Sequence, residues 1–377
     1  MTPMPARLLS LCDWLPPDFG AVGQYALLEA RERAAAGDAV TLVGLSSAAA
    51  LVTSESVGKG RLQVIRIRRP VYDRARLWRR LGWTIATNTR LLWAARRELR
   101  RADEILFTGS PPLLIHWLVP LNRIFRRRLT YRISDFHPEC LIAERGKESL
   151  GLWILKKRTR RLRRRVDRFE ALGEDQKRRL VAQGIPAARI TVRRSGSPVE
   201  ITPKTLPMIR PTELYGRAVL LYSGNFGVAH DDTTFIDGYA LHHSLGSGRT
   251  LLWLNATGAK ADRVEARLRE LQLPVYRSLP VPLEHLASLL VTPDAHLITL
   301  RDAFVGYVLP SKVYGCVASR KPVLYVGPEE SDVQAVCRDG LPAADFLPVR
   351  VGDAAGVATA LERIAERSFA RGPSRLA

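Results

Sequence analysis

The stretch "AVLLYSGNFGVAHDD", residues 218–232, joins a short apolar run to a turn of small residues and then to a polar segment. An apolar run of this length predicts a buried strand, and the polar segment predicts the start of a helix. Gly224 and Gly227 would let backbone N–H groups approach an anion, and Asn225 tolerates a left-handed backbone or donates from its amide. The spacing favours a phosphate loop and a plain βα turn equally. It is not the GxGxxG fingerprint of a dinucleotide site.

The same alternation of strands and helices runs through both halves of the chain. A first series ends at "ITVRRSG", a Pro-, Thr- and Ser-rich stretch follows, and the alternation restarts at "AVLLYSG". Alternation of this kind predicts parallel sheets covered by helices, with ligands bound at the carboxyl ends of the strands. We therefore predict an α/β protein with two doubly wound, Rossmann-like domains facing a cleft. The expected division is a first domain at 1–198, a linker at 199–216, a second domain at 217–365 and a tail at 366–377.

Composition limits the class of protein. The 377 residues are 46% hydrophobic and 25% charged, as in globular proteins. The four cysteines are far apart and form no Cys/His cluster, so we expect neither a metal site nor a disulfide scaffold. The longest apolar stretch, "PPLLIHWLVPLNRIF", is too short to span a bilayer, and no secretory signal is visible. We expect a cytoplasmic protein without a cofactor.

Charge is concentrated in one half. The formal net charge is +21, and 36 of the 58 Lys and Arg residues lie at positions 59–194, against 12 Asp and Glu there. The rest of the chain is close to neutral. The first domain therefore carries the cationic field, and its partner is expected to be anionic.

A second candidate anion site lies in "GYVLPSKVYGCVASRKPVLYVG", residues 306–327. Pro310 and Ser311 are typical of a helix start, which places Lys312 in the first turn. A lysine there opposes the helix dipole unless it faces an anion. This favours Lys312 as a diphosphate ligand over a generic surface lysine.

Four segments, in order, resemble family 4 of the GT-B fold glycosyltransferases. "LPPDFGAVGQYALLEARERAAAGDAVTLVG" is similar to the first strand, glycine loop and helix of that family. "ALGEDQKRRLVAQGIPAARITVRRSGSP" resembles the end of its first domain. "LYSGNFG" resembles the start of its second domain, and "LPSKVYGCVASRKPVLYVG" its donor-site helix and strand. Together the segments extend over nearly the whole chain.

The resemblance implies transfer of a sugar from a nucleotide-diphosphate sugar to an acceptor, with retained configuration and no metal. The second domain would hold the donor and the first the acceptor. Carried over by position, the donor ligands would be Gly20, Gly23, Gly224, Asn225, Gly227, Pro310, Ser311 and Lys312. Fixed dipoles and a cation would stabilise the charge that develops on the leaving diphosphate.

The sequence departs from the family at two acidic positions. Family 4 often carries two glutamates separated by seven residues where this chain has Tyr307 and Gly315. Glu330, or the neighbouring Glu329 and Asp332, could take over donor recognition; Asp332 could equally cap a helix. His230 and Arg301 are candidates for the basic groups of the family, which are not evident at their usual place.

In the first domain, "YRISDFHPEC" places Asp135 and His137 just after a strand. Asp135 could accept hydrogen bonds from hydroxyl groups or act as a base towards the acceptor, and His137 could bind a hydroxyl or a phosphate. A turn with a cap and a packed histidine is the alternative.

Two arginine-rich helices suggest a membrane face. Drawn at 100° per residue, residues 76–101 place Leu77, Leu81, Ile85, Leu92 and Leu99 on one side and Trp83 on the other. A tryptophan among cations suits an anionic membrane interface, although it could instead be buried by a neighbouring element. The residues expected at the membrane are Arg79, Arg80, Trp83, Lys156, Lys157, Arg160 and Arg161. We therefore expect a peripheral protein on the inner face of the plasma membrane, acting on a polyprenyl diphosphate-linked acceptor.

Two other functions fit parts of the sequence. The arginine density suits a nucleic-acid-binding protein, but no recognition motif for nucleic acid is present, and we expect none as a partner. A nucleotide-sugar epimerase of GT-B shape would also use the predicted phosphate site.

Overall fold

The computed structural model describes residues 6–18, 21–70 and 77–370. Clustering of contacts divides the chain into two compact units. The first contains the described residues up to Arg194 together with Gly306–Val308, and the second contains Ser195–Val305 and the described residues from Leu309 onward. The stretch predicted as a linker packs on the second unit: Met208 N donates to Thr292 Oγ1 at 3.0 Å, and Leu214 is buried.

The first unit is built on an eight-stranded sheet with the order β3-β4-β2-β1-β5-β6-β7-β8. The strands are β1 (Arg7–Trp14), β2 (Ala39–Ser46), β3 (Leu51–Val57), β4 (Gly60–Arg68), β5 (Glu104–Thr108), β6 (Arg128–Ile133), β7 (Arg168–Ala171) and β8 (Ile190–Val192). The helices are α1 (Ala21–Ala36), α2 (Leu77–Ala94), α3 (Arg96–Leu99), α4 (Ile115–Phe125), α5 (Glu139–Arg145), α6 (Leu150–Arg163) and α7 (Glu174–Ala182). The strand order reverses between β1 and β5.

One strand of this sheet was not predicted. β3 pairs antiparallel with β4, and the two-residue turn between Val57 and Gly60 makes the pair a hairpin. The sequence of β3, "LVTSESV", is largely polar and its side chains are exposed, because it is an edge strand. A strand without a buried face carries little hydrophobic signal.

The prediction for the helix at 76–101 was right for Leu92 and Leu99, which are buried, and wrong for its first half and for Trp83. Leu81 and Ile85 are exposed, whereas Trp83 packs against the core and stacks on Trp14 with ring centroids 6.3 Å apart. The Trp83 Nε1 group donates to Pro70 O at 3.1 Å. The partly buried ring packs on an aromatic neighbour and its N–H group has an acceptor, so both its apolar body and its polar group are satisfied in this orientation.

Polar residues on the inner face of α2 make this orientation possible. Thr87 and Asn88 are fully buried. Thr87 Oγ1 accepts from Arg69 Nε at 3.0 Å, and Asn88 Nδ2 donates to Pro112 O at 3.0 Å. A hydrogen-bonded polar group can be buried at little cost.

The second unit is built on a six-stranded parallel sheet with the order β11-β10-β9-β12-β13-β14. The strands are β9 (Ala218–Asn225), β10 (Thr250–Thr257), β11 (Val275–Ser278), β12 (Ala295–Thr299), β13 (Val323–Val326) and β14 (Phe346–Val349). The helices are α8 (Thr233–Leu245), α9 (Ala259–Glu270), α10 (Leu283–Val291), α11 (Lys312–Ala318), α12 (Asp332–Gly340) and α13 (Ala354–Ala370). Counted from β9, the order is the Rossmann order 3-2-1-4-5-6, which reverses between β9 and β12.

Each sheet is covered by apolar clusters on both faces, as the hydrophobic runs of its strands predict. The expectation of two Rossmann-like α/β units is confirmed. None of the described helices is long and apolar enough to cross a bilayer.

Candidate functional site

The glycine loop of the second unit lies where its strand order reverses. β9 ends at Asn225, and β12, on the other side of the reversal, ends at Thr299. Gly224 has a φ of +111°, a backbone conformation that favours glycine. Helices leave the sheet in opposite directions on the two sides of such a point, which opens a crevice for ligands. The loop quoted first therefore occupies the ligand edge of its unit.

Lys312 lies against this loop. A Cβ atom added to Gly224 would be 3.9 Å from Lys312 Cε, which is van der Waals contact distance. The lysine side chain therefore lies directly beside the glycine loop. The Lys312 Nζ atom is 3.2 Å from the centroid of the Tyr222 ring, within cation–π range. Although the residue as a whole is half-buried, Nζ is buried and has no hydrogen-bond partner among the described residues. Burial lowers the pKa of Lys312 to about 7, with Cys316 acting weakly in the opposite direction.

A buried ammonium group without a partner is costly, and an anion that reached it would supply the missing interaction. The hydroxyl of Thr299, at the end of β12, is also buried without a partner in the described part of the chain. The reversal point thus holds a cation and a hydroxyl with unused hydrogen-bonding capacity.

His230 is part of the same cluster but is not its cation. The ring is buried edge-on against Tyr222 and Phe226, with centroids 5.7 and 5.6 Å away. Burial first, and then the charge of Lys312, hold the pKa of His230 well below its usual range. The neutral ring therefore donates Nδ1–H to Thr299 O, at 2.7 Å, and joins the loop after β9 to β12. Its role here is to hold the loop.

Arg301, two residues after β12, also contacts the loop after β9. Its backbone N donates to Ala229 O at 2.9 Å, and Nη1 lies 3.3 Å from Val228 O. The side chain is half-buried, with its guanidinium 5.6 Å from the centroid of the Phe304 ring. The structure therefore places Arg301 beside the loop that contains His230.

The start of α11 is where the sequence predicted it, but Ser311 does not cap the helix with its side chain. The helix begins at Lys312, and Ser311 occupies the N-cap position without a side-chain capping hydrogen bond. Pro310 O accepts from Val313 N at 3.1 Å. The Ser311 hydroxyl is therefore not committed to the helix.

The two positions where family 4 often has glutamates cannot serve that purpose here. Tyr307 belongs to the first unit, where its ring packs on Phe136 with centroids 5.8 Å apart and lies under the guanidinium of Arg179. Gly315 is buried in α11, and a Cβ atom there would come within 2.9 Å of Leu290 Cδ1. A glutamate at 315 would need a repacked core.

The proposed substitutes lie after β13. Glu330 and Glu329 are exposed, and Glu329 forms an ion pair with Arg350 at 3.4 Å. Ser331, not Asp332, caps α12: its hydroxyl accepts from Gln334 N. Glu330 remains the proposed candidate, because it is exposed at the carboxyl end of its strand.

In the first unit, two carboxylates flank the end of β5. Asp13 is near the end of β1, and Asp135 follows β6 by two residues. Burial raises the pKa of Asp13 to about 6, although a hydrogen bond from the Ser110 side chain acts against it. Burial, and then the charge of Asp13, raise the pKa of Asp135 to about 6. The charge of Asp13 therefore adds to the effect of burial on the pKa of Asp135.

The surroundings of this pair leave room for a ligand group to bond. Asp13 Oδ1 and Ser134 Oγ are buried without hydrogen-bond partners among the residues described. A hydroxyl-rich ligand could donate to the carboxylates and accept from the serine. Asp13 is the residue that the sequence analysis missed. It ends an apolar strand just as Asp135 does, so the same positional argument would have identified it.

His137 lies in the same loop as Asp135. Its side chain is half-buried, and its carbonyl oxygen accepts from Arg163 Nη2 at 3.0 Å. Arg163 itself is buried and paired with Glu139, with Arg163 Nη1 and Glu139 Oε1 2.6 Å apart. The loop is thus anchored from beneath by an ion pair.

The first glycine loop is only partly described. Gly20 lies outside the described residues. Gly23 is in α1, and a Cβ atom there would collide with the carbonyl oxygen of Trp14. Close packing of helix on strand therefore accounts for Gly23, and its proposed contact with the donor has no support from its position.

The basic helix α6 presents an amphipathic face to solvent. Leu150, Trp153 and Ile154 are exposed by 73%, 45% and 54%. Lys157 lies over the Trp153 ring at 4.7 Å, and Arg161, one turn further, is exposed. At 100° per residue these five side chains fall within one side of the helix. We name them the α6 face.

The other predicted membrane residues are placed less favourably. Lys156 pairs with Glu148 at 2.6 Å, and Arg160 is half-buried. Arg79 is exposed on α2. The side chain of Arg80 lies outside the described residues. Trp153 on α6 and Trp93 on α2, rather than Trp83, are exposed beside cations, the latter with Arg96 4.6 Å from its ring centroid.

Within the described part of the chain, no three His, Cys, Asp or Glu side chains are grouped closely enough to hold a metal ion. All four cysteines are buried and unpaired.

Comparison with known proteins gives relatives of one type. The chain is similar to the probable glycosyltransferase WbjE of Pseudomonas aeruginosa, at 23% identity over 247 residues. The match covers 63% of this chain and 60% of WbjE. The chain thus spans less than two thirds of that curated relative. No protein-family model matches it.

Solved structures match over almost the full chain. Sucrose-phosphate synthase from Thermosynechococcus elongatus has a TM-score of 0.69 at 14% identity, covering 98% of this chain and 91% of its own. HepE from Anabaena, solved in complex with UDP and glucose, has a TM-score of 0.60 at 13% identity, covering 98% and 95%. These likenesses show that the fold is GT-B, and they confirm the resemblance found in the sequence.

Proposed function

We propose that this chain is a glycosyltransferase that moves a sugar from a nucleotide-diphosphate sugar to a hydroxyl group of an acceptor. One observation carries the proposal: the ammonium group of Lys312 is buried beside Gly224 without a hydrogen-bond partner in the described part of the chain, at the point where the Rossmann sheet of the second unit reverses. The GT-B fold and the likeness to a probable glycosyltransferase support it.

The second unit would bind the diphosphate. Backbone N–H groups near Gly224, Asn225 and Gly227 would approach the phosphate oxygens. The Ser311 hydroxyl would donate to the same oxygens. Binding of an anion raises the pKa of Lys312, so the lysine is protonated in the complex and stabilises the charge on the leaving group. A fixed cation in this position supports a reaction without a metal ion.

The first unit would bind the acceptor. At neutral pH the Asp13–Asp135 pair is largely ionised, because both pKa values are about 6. The carboxylates would accept hydrogen bonds from the acceptor hydroxyl and orient it, while Ser134 and His137 bind neighbouring groups. In the reaction, the bond from the anomeric carbon to the diphosphate oxygen breaks and a bond to the acceptor oxygen forms. With retained configuration, as in family 4, the proton passes to the departing diphosphate.

The α6 face supports a peripheral membrane location. Its leucine, isoleucine and tryptophan would enter the headgroup region, and its two cations would meet anionic lipid. An interface at the inner leaflet suits an acceptor on a polyprenyl diphosphate carrier. This fits the synthesis of a bacterial polysaccharide or glycolipid.

A thermal-shift panel of nucleoside diphosphates and nucleotide-sugars tests the donor site and selects the base. We expect a saturable rise in melting temperature with one nucleotide that is absent in Lys312→Ala. Lys204→Ala, which removes an exposed lysine of the same unit, should keep the response. An unchanged response in Lys312→Ala would remove the basis of the proposal.

Activity then needs an acceptor assay with the selected nucleotide-sugar and a polyprenyl diphosphate-linked sugar, with and without EDTA. Release of the nucleoside diphosphate only when acceptor is present supports transfer. Conversion of the nucleotide-sugar without acceptor would indicate an epimerase instead.

A further inference from the structure

A basic hollow lies on the first unit, away from the residues discussed so far. It has a volume of about 460 Å³. Its lining consists of one amide, one carboxylate and five guanidinium groups: Asn122, Asp167, Arg126, Arg127, Arg128, Arg165 and Arg168. We name it the arginine hollow.

The arginine hollow is at the amino ends of the strands. Arg128 is the first residue of β6 and Arg168 the first residue of β7. Asp135 follows the other end of β6, roughly 20 Å of extended chain from Arg128. The hollow is therefore on the opposite edge of the sheet from the carboxylate pair, and it is no part of the proposed acceptor site.

The charges of the hollow are not neutralised within the protein. None of its five arginines forms an ion pair with any described residue. Its single carboxylate is occupied, because Asp167 Oδ2 accepts from Leu129 N at 2.8 Å. Elsewhere in the same unit arginines are paired: Arg132, for example, contacts both Glu29 and Glu170. The five arginines of the hollow thus differ from Arg132 in having no carboxylate partner among the described residues.

The loop between α4 and β6 is held in a defined shape. Asn122 Oδ1 accepts from Arg127 N at 3.0 Å, and Asn122 Nδ2 donates to Arg127 O at 2.8 Å. Arg127 Nη2 donates to Arg100 O. Arg127 Nε is buried and has no partner among the described residues. One guanidinium of the hollow is therefore fixed and incompletely hydrogen-bonded.

The ends of helices explain only part of this arrangement. α4 ends at Phe125 and α6 at Arg163, and cations near helix carboxyl ends are favourable. One cation at each end would satisfy the two dipoles. Five around one concavity repel each other, and an anion in the hollow removes that repulsion.

We propose that the arginine hollow binds a phosphate group carrying at least two negative charges. Guanidinium groups match phosphate oxygens through paired N–H donors, and the hollow has room for a diphosphate. The shared chemistry is that of a phosphomonoester or a diphosphate. A soluble phosphate compound or a lipid headgroup could supply it. The proposal does not depend on the sugar-transfer activity, because the hollow lies at the opposite edge of the first unit's sheet from the carboxylate pair and contains no residue of the proposed donor site.

The first experiment is calorimetric titration with inorganic pyrophosphate in the Lys312→Ala background, which removes the proposed donor site. A saturable event should remain. Adding Arg165→Gln and Arg168→Gln should weaken it, by roughly tenfold for each arginine removed. Arg145→Gln with Arg189→Gln is the matched control, since both arginines are exposed in the same unit outside the hollow. Chloride at equal ionic strength should compete poorly.

All the arginines to be changed are exposed, so we expect the variants to fold, and thermal melts check this. Arg128→Gln is a second test if a melt is altered. No saturable event, or one that the hollow variants and the control variants retain equally, would overturn the proposal. Tighter binding of duplex DNA than of pyrophosphate at the hollow would also overturn it.

A second experiment identifies the source of the phosphate. The full chain is mixed with phosphatidylcholine vesicles with or without phosphatidic acid. If a headgroup is the ligand, pyrophosphate should displace the protein from the phosphatidic acid vesicles, and Arg165→Gln with Arg168→Gln should bind them less. If pyrophosphate binds in solution but displaces nothing, the ligand is a soluble phosphate.

Discussion

The two units have opposite charges at their ligand edges, and they also differ in overall charge. The first unit contains the basic half of the chain, yet two carboxylates, Asp13 and Asp135, lie at its edge. The second unit is close to neutral, yet an unpaired ammonium, Lys312, lies at its edge. Net charge therefore describes the outer surface of a unit, whereas a few buried groups set the chemistry of its site.

Each edge keeps its groups partly dehydrated, with opposite effects on protonation. Burial lowers the pKa of the lysine and raises the pKa of the aspartates, so both edges disfavour the charged form until a ligand arrives. An anion would restore the charge of the lysine. Hydroxyl groups would donate to the aspartates. The comparison thus assigns a phosphate to one edge and an alcohol to the other.

Removing the cation should break the comparison most strongly. Lys312→Met keeps the length of the side chain without its charge, and we expect nucleoside diphosphate affinity to fall by about 100-fold. Calorimetric titration measures this. A loss below threefold would mean that Lys312 does not face the diphosphate.

The same variant should be more stable than the parent when no ligand is bound. The folded-state pKa of about 7 lies below the ordinary 10.5, so the cost of holding the ammonium is full below pH 7. It declines as the pH rises towards 10.5. We expect Lys312→Met to gain about 2 kcal/mol at pH 6 and much less at pH 9.5, as measured by urea unfolding. A gain that does not depend on pH would contradict the low pKa.

Neutralising one aspartate at a time tests the role of the two carboxylates at the edge of the first unit. Asp135→Asn should lower the transfer rate by about 100-fold, because the hydroxyl group of the sugar acceptor loses the carboxylate to which it donates a hydrogen bond. Asp13→Asn should cost less and should move the acidic limb of the rate profile to lower pH, because the charge of Asp13 helps to raise the pKa of Asp135. A limb that stays in place would show that the pair is not coupled.

Thermal melts separate this effect from misfolding. The pKa of Asp13 is raised from 3.8 to about 6, so the cost of its charge is absent below about pH 4 and full above pH 6. We therefore expect Asp13→Asn to melt higher than the parent at pH 7.5 and at the same temperature at pH 4. A lower melting temperature at pH 7.5 would indicate a structural role for the carboxylate.

A change on the outer surface tests whether the α6 face acts in membrane binding and not at the nucleotide site. Trp153→Ser with Ile154→Ser on the α6 face should weaken binding to anionic vesicles by about tenfold and leave nucleotide binding unchanged. Ile209→Ser, an exposed apolar residue of the second unit, is the control and should leave vesicle binding unaltered. Co-sedimentation with vesicles provides the measurement. Equal binding by the double variant and the control would reject the membrane face.

The smallest expected effect compares two glycines of the same loop. Gly224→Ala should destabilise the protein by about 1 kcal/mol, because its φ of +111° is strained for a residue with a Cβ atom. Gly227 does not have a positive φ, and a Cβ atom there would lie 3.4 Å from Asn225 Nδ2. Gly227→Ala should therefore cost less. Urea unfolding of both variants decides whether the positive φ of Gly224 makes that position the less tolerant of the two.

Much of the site could be found from the chain by position. Strands that end in "YSGN" and "RISD" identified Gly224 and Asp135, because parallel strands bring their carboxyl ends to one edge. Asp13 was missed only because its strand was not followed to its last polar residue. The neutral state of His230 could not be predicted, since it depends on Phe226, Thr299 and Lys312 surrounding the ring.

The sequence by itself determined the fold class, the order of the elements and the concentration of cations in one half. These follow from local periodicity and composition, which depend only on the order and type of residues close together in the chain. Only the tertiary structure decided which face of α2 is buried, which aspartates are coupled, and that Lys312 has no partner. Such properties depend on burial and on distances between residues far apart in sequence, and the free energy of a charged group is set by those surroundings rather than by its position in the chain.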